Sequence, residues 1–294
     1  MGYGSIFRNG IFAGRVYVVT GGGSGFGRCI AHEIAALGGR VALVGRSLEK
    51  LQATAAEIAE DNDGPSGDAR CYTADIRDEA RVTAMIGEII ADMGRIDGLV
   101  NNAGGQFSAK LEDISANGWD AVVRNNLTGG FLMSREAYRQ WMKAHGGAIV
   151  NITAEFGLGL PDMGHSGAAR AGMDNFTKTA ALEWAHSNVR VNAVAPGWCA
   201  SSGYDNYPEE VSAGIAARSD FVPMKRHGTE AEVSAAVCFL LSDAAAYING
   251  VSIGVDGGAP LERGHRPSED GPREDRSWQG FHRYQKPKIL REKE

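Results

Sequence analysis

Ser166, Arg170 and Asp174 recur every four residues along His165-Ser-Gly-Ala-Ala-Arg170-Ala-Gly-Met-Asp174, a stretch whose spacing predicts a helix. Side chains at i, i+4 and i+8 share one helical stripe. The stripe carries a hydroxyl donor, a permanent cation and a carboxyl group, and no phenol. A guanidinium stays charged at any working pH, so Arg170 can hold negative charge but cannot shuttle a proton. Asp174 reads first as an i, i+4 ion-pair partner that orients Arg170. The sharper alternative, a carboxylic acid with raised pKa that donates a proton, is opposed by the adjacent cation. His165 is a further candidate donor, although a histidine at a helix start reads first as a capping or packing residue.

A second constellation lies near the start of the chain. Thr20-Gly21-Gly22-Gly23-Ser24-Gly25-Phe26-Gly27 follows a β-branched run and precedes a helical pattern. Gly21 permits a tight turn, Gly25 lets backbone approach a pyrophosphate, and Gly27 lets the helix pack closely. Amides at the helix start, aided by its dipole, then hold phosphates. Cofactor choice is read at the end of the second strand, where an acidic residue would accept from a ribose 2′-hydroxyl. This chain has Gly45-Arg46-Ser47 there. Arg46 can form charge-assisted bonds to a 2′-phosphate and Ser47 can add a hydroxyl or a helix-terminal amide, so NADP(H) is expected over NAD.

These residues need a scaffold. Strands are expected at 15–20, 40–45, 70–75, 98–101, 148–153, 189–195 and 251–255. Helices are expected at 25–37, 47–61, 78–93, 118–144, 162–186 and 229–241. Strict alternation implies an α/β, doubly wound Rossmann-type fold: a seven-stranded parallel sheet with helices on both faces. Residues 1–260 read as a single nucleotide-binding domain, with a substrate lid at about 198–228. Beyond Pro260 charged residues, Gly and Pro dominate, and 261–294 reads as a polar, extended or partly disordered tail. The helices at 118–144 and 162–186 are expected to pair copies into a homodimer or homotetramer.

Composition excludes several classes. A net charge of −6 argues against nucleic acid as a partner. Cys29, Cys71, Cys199 and Cys238 are far apart with no CxxC pair, which suggests reduced thiols and no zinc site. No apolar run is long enough to span a membrane, and Met1 to Phe12 lacks the order of a signal peptide, so a cytoplasmic protein is expected.

Taken together, TGGGSGFG at 20–27, Asp75-Ile76, Asn101-Asn102-Ala103-Gly104, Asn126 within NNLTGG, and Pro196-Gly197 resemble the short-chain dehydrogenase/reductase family over about residues 10–258. The resemblance implies that Asp75 and Ile76 lie at the adenine, and that Asn102, Ala103 and Gly104 stabilise the fourth strand beneath the cofactor. It further implies that Pro196, Gly197 and Ser201 flank the nicotinamide, and that Asn126 kinks its helix and holds a water. Asn102-Ala-Gly-Gly105-Gln106-Phe107, Trp141-Met-Lys-Ala-His-Gly-Gly147 and His165 to Gly172 are similar to peroxisomal trans-2-enoyl-CoA reductases, with 2,4-dienoyl-CoA reductases a step further away.

Departures from the family pattern narrow the chemistry. Ala154 stands where the family has its catalytic Ser, Ser166 where it has Tyr, and Arg170 where it has Lys. Phe156 and Asp174 occupy positions of the alternative tyrosine acids. Ketone reduction makes an alkoxide that needs a coupled acid. Reduction of an enoyl thioester spreads charge onto the thioester oxygen and chiefly needs donors aimed at it. The expectation is therefore NADPH-dependent reduction of the C=C bond of a trans-2-enoyl-CoA or related activated alkene. Asn126, Ser166, Arg170 and Asp174 are its candidate catalytic residues, with Arg170 also bonding the nicotinamide ribose. A carbonyl reductase with rearranged acids and an NADP-binding protein without turnover are the alternatives. Phe156, Trp198, Tyr204 and Tyr207 can line an acyl pocket, although such aromatics are more often plain packing. Arg8, Lys110, Arg283, Lys286 and Lys288 can meet CoA phosphates, but read first as solvated charges.

Overall fold

Seven parallel strands form one sheet in the order β3-β2-β1-β4-β5-β6-β7. They are β1 (Val16–Thr20), β2 (Arg40–Gly45), β3 (Ala69–Thr73), β4 (Gly98–Asn101), β5 (Gly147–Ile152), β6 (Val189–Pro196) and β7 (Ser252–Val255). The structure is a computed structural model that describes residues 2–62, 68–206, 214–262 and 276–291. Helices are α1 (Gly25–Ala36), α2 (Leu48–Asp61), α3 (Glu79–Met93), α4 (Ala116–Val123), α5 (Gly129–Ala137), α6 (Lys143–His145), α7 (Gly164–Trp184) and α8 (Glu230–Leu241).

Both faces of the sheet are covered, which is why its strands are near-continuous apolar runs. Side chains alternate across the pleat. Tyr17 and Val19 of β1 join Ile30 and Ile34 of α1, Leu51 and Ile58 of α2, and Val233 and Val237 of α8. Val16 and Val18 join Met85 and Ile89 of α3, Leu132 and Met133 of α5, and Ala180 of α7 on the other face. Helix starts follow cap chemistry: Ser47 and Asp78 accept from the amides of Lys50 and Arg81, and Thr229 with Glu232 closes a capping box on α8.

The expected helix at 118–144 spans α4 to α6 but is interrupted by π-turns at Arg124–Thr128 and Tyr138–Met142. The hydrophobic period carries no mark of either turn, because the first coincides with a long-range tie made by Asn126. Beside it, Gly129 and Gly130 let α5 close on its neighbours, since a Cβ at either would meet Ile76 or Met173 at 2.5 Å.

The sheet reverses its winding between β1 and β4, which are direct neighbours. A crevice for ligands opens at the carboxyl ends of strands at such a switch point. Residues 276–291 depart from the extended arm that composition suggested. Phe281 is 1% exposed, and Arg283 bonds Asp61 and Glu60 at the end of α2. Burial of one aromatic anchor supplies what the surrounding polar residues lack.

Candidate active site

Thr20 ends β1 at the switch point. Its hydroxyl donates to the Val100 carbonyl and accepts from the amides of Asn102 and Ala103. The Asn102 side chain returns a bond to the Thr20 carbonyl at 2.9 Å. The floor of the crevice is thus fastened by side-chain-to-backbone bonds at the ends of β1 and β4. Gly21 turns with φ of 67°, and a Cβ there would press on Asn102 and Ala103. Gly27 sits so close that a Cβ would run into the Gly21 carbonyl and the Asn102 amide.

Gly25 differs from its neighbours. Its φ is 52°, and a Cβ would make only ordinary contacts, with the hydroxyls of Ser202 and Ser201 the nearest atoms at 3.7 and 3.8 Å. Exposed Ser24 is the N-cap of α1 yet makes no side-chain capping bond. A bare backbone concavity at a helix start, faced by hydroxyls, fits a pyrophosphate. Phe26 turns inward and packs against the core beneath α1.

At the end of β2, Arg46 is exposed and Ser47 caps α2 with its hydroxyl 3.4 Å from the Lys50 amide. Asp75 follows β3. Rather than standing open, its carboxylate takes two bonds from the Arg77 guanidinium, at 2.9 and 2.6 Å, and one from the Arg77 amide. That pairing holds Asp75 down at about 2, with Arg46 adding to the positive field. The adjacent Ile76 is 5% exposed.

The chemistry-bearing residues converge beyond β4 and β5. Asn126, in the first π-turn, bonds the Gly105 backbone twice: its Oδ1 accepts from the amide and its Nδ2 donates to the carbonyl, both at 2.9 Å. The carboxamide expected to hold a water is thus engaged with the loop. Ser166, fully buried, donates to Gln106 Oε1 at 2.6 Å. Gln106 stood in the sequence only as part of a family motif, yet it is the hydroxyl's partner. His165, also fully buried, accepts the Ser166 amide at Nδ1, which puts its proton on Nε2. Phe107 packs edge-on against its ring.

Arg170 is the centre of the group. Nη1 donates to the Ile152 carbonyl at 2.6 Å, and a Cβ at Gly104 would lie 2.7 Å from both Arg170 Nη2 and Asn126 Oδ1. Its Nε has no hydrogen-bond partner among the described residues. Burial alone pulls the guanidinium down to about 10, and no acid counters it; at neutral pH it remains charged.

The expected role of Asp174 is corrected. Its carboxylate pairs with Lys178 at 2.6 Å, not with Arg170. Helical side chains lean toward the N-terminus. Arg170 therefore runs toward the end of β5, while Lys178 comes back to Asp174.

The last wall follows β6. Gly197 donates to Val255, and a Cβ there would press on Asp256 at 2.8 Å. The Pro196 carbonyl accepts from Glu155, and Ser201 is 7% exposed opposite Gly25. Half-buried Phe156 and Trp198 stand nearby in sequence, and the Arg218 guanidinium covers the Trp198 ring. Tyr204 packs edge-on to His227; Tyr207 lies outside the described residues. Sequence reasoning missed Glu230, a 4% exposed carboxyl at the start of α8. Burial pushes it up to about 7. Among the described residues no cluster of His, Cys, Asp and Glu could hold a metal, and no helix is long and apolar enough to cross a membrane.

A seven-stranded parallel sheet with a glycine turn at its switch point and this convergence of loops defines a nucleotide-dependent oxidoreductase. The chain belongs to the short-chain dehydrogenase/reductase family, whose members use a nicotinamide cofactor: a family model described as enoyl-(acyl carrier protein) reductase matches residues 21–260. It is 38% identical over 247 residues to a probable 2,4-dienoyl-CoA reductase of Bacillus subtilis, covering 83% of this chain and 96% of that one. Levodione reductase of Leifsonia aquatica is 35% identical, covering 84% and 94%. A solved citronellol catabolism dehydrogenase of Pseudomonas aeruginosa superposes with a TM-score of 0.78 at 51% identity, covering 87% of this chain and 99% of that one.

Proposed function

We propose that this protein uses NADPH to reduce the C=C bond of a trans-2-enoyl-CoA or a related activated alkene. The observation that carries the reading is Arg170: a half-buried cation with no acidic partner among the described residues, one helical turn beyond the Ser166 hydroxyl. A cation drawn partly out of water with a carbonyl partner but no counter-ion favours a ligand that brings negative charge. Such a site favours negative charge spread over a substrate oxygen, and Ser166 and Arg170 stand at the positions where a phenol and an amine would serve to protonate an alkoxide.

Arg46 and Ser47 support NADPH over NADH, since no carboxylate stands at their position and Asp75 is engaged by Arg77. Arg170 and Asn126 keep the nicotinamide side of the crevice in register. A nicotinamide bound there supplies the hydride. Ser166 holds its hydroxyl toward the carbonyl that conjugates the alkene, and the loop carrying Gly104 to Phe107 covers the group from water. Exposed Trp119 and Phe131, together with Leu182 of α7, suit pairing of copies into a dimer or tetramer. A small-molecule acyl substrate and a cytoplasmic setting complete the proposal.

The similarity to levodione reductase favours a second reading, ketone reduction with rearranged acids. One assay set decides. NADPH oxidation is followed with crotonyl-CoA, a longer 2-enoyl-CoA, a 2,4-dienoyl-CoA and acetoacetyl-CoA, and citronellol is offered with NADP⁺. Turnover of the alkenes supports the proposal. Turnover confined to acetoacetyl-CoA or citronellol overturns it, and tight NADPH binding with no turnover leaves a cofactor-binding protein.

A further inference from the structure

Residues 276–291 lie beyond the stretch matched by the family model, 21–260, yet they join three helices that share one face of the sheet. Trp278 meets the start of α8: its carbonyl accepts from the Thr229 hydroxyl at 2.7 Å and its amide donates to Glu232 at 3.3 Å. Phe281 meets α1: its ring stacks on Tyr3, lies 5.0 Å from the His32 ring and carries the Arg28 guanidinium over its face at 5.0 Å. Arg28 belongs to the first turn of the helix whose amides face the pyrophosphate crevice. Arg283 meets the end of α2 through Asp61 and Glu60.

From there the segment returns to the other side of the crevice. The Lys288 amide donates to Asp205 Oδ1 at 2.7 Å. Asp205 lies in the short 3₁₀ turn Ser202–Asn206, the first turn of the lid region. The hydroxyls of Ser202, in that turn, and of the preceding Ser201 face Gly25. Ser201 to Asn206 therefore lies between the pyrophosphate turn on one side and the C-terminal segment on the other.

We propose that residues 276–291 form a strap that fastens the lid's first turn to the pyrophosphate-binding helix, with Asp205 and the Lys288 amide as the clasp and Phe281 as the anchor. The proposal rests on the reductase reading only in taking 198–228 as the substrate lid. Asp205 and Phe281 are then positioning residues: neither touches substrate, and both set how firmly the lid turn is held.

The test compares full-length protein with Asp205→Ala, Phe281→Ala and a chain ending at Glu262, each with and without NADPH. Amide hydrogen exchange at Ser202–Asn206 needs no turnover and reads the strap directly. Exchange there is expected to quicken roughly fivefold in Asp205→Ala, the yield of one modest hydrogen bond, and further in the other two variants, with Asn102 and Ala103 unchanged. KM for crotonyl-CoA rises more than kcat falls. Unaltered exchange at Ser202–Asn206 in Asp205→Ala and Phe281→Ala overturns the strap. Should the shortened chain fail to fold, those two variants decide, since Asp205→Ala leaves the anchor packed. Faster exchange in a protein that reduces no alkene removes the reductase reading and leaves the strap standing.

Discussion

The hydroxyl of Ser166 donates to Oε1 of Gln106 across 2.6 Å, tying the first turn of α7 to the loop that follows β4. A side-chain carbonyl thus receives the bond that the proposed substrate's carbonyl must take. If so, the hydroxyl acts on the reacting oxygen and contributes little to cofactor binding. Ser166→Ala is expected to lower kcat about 10²-fold, the usual loss for one donor to a developing oxyanion, while NADPH affinity measured by fluorescence titration stays put. Unchanged kcat would show that the hydroxyl faces elsewhere.

Arg170 serves charge without proton transfer, so its replacement separates the two functions. Arg170→Ala is expected to raise KM for NADPH more than Ser166→Ala does. Arg170→Lys retains the charge, but a lysine in that half-buried position with no acidic partner among the described residues has its pKa driven down. Its activity should fall as pH rises through that lowered pKa, where the parent, whose guanidinium titrates near 10, stays level. Superimposable pH–rate profiles would count against a charge role.

Arg46 tests cofactor choice. Arg46→Asp puts a carboxylate where a 2′-phosphate is proposed to sit, replacing attraction by repulsion in an exposed position. The ratio of kcat/KM for NADPH over NADH is expected to drop about tenfold or more, since charge-assisted bonds contribute about 1.5–3 kcal/mol. A ratio of one in the parent would refute the premise before any mutation.

The scaffold was legible because it depends on local pattern. Apolar runs such as RVYVVT and RVALVG, glycines at strand ends and caps such as Thr229 placed all seven strands in order. The turn around Gly21, Gly25 and Gly27 was legible because Gly21 and Gly27 have no room for a Cβ and Gly21 and Gly25 turn with positive φ. What stayed hidden depends on partners distant in sequence. Asp174 and Arg170 have ideal spacing for a pair, but spacing does not tell which way a buried guanidinium turns, and Lys178 was equally well placed. The π-turn at Asn126 follows from a bond to Gly105, 21 residues away. Phe281 is one of three aromatics, with Trp278 and Tyr284, in a charged stretch, and only its contacts with Tyr3, His32 and Arg28 show that it is the anchor.

Glu230 gives a prediction about stability. Its carboxyl is 4% exposed, and burial raises it from an ordinary 4.5 to about 7. Between those values the folded chain binds more protons than the unfolded one, so stability declines as pH rises across that window. The full cost, reached above pH 7, is on the order of 3 kcal/mol. Below pH 4.5 both states are protonated and the cost vanishes. Glu230→Gln keeps the size and a side-chain carbonyl but cannot ionise. Relative to the parent, its Tm should therefore gain as pH climbs from 5, most steeply between about 5 and 6.5, and level off above 7. Calorimetric scans of both proteins across that range check this, and parallel curves would mean that the carboxyl does not titrate there.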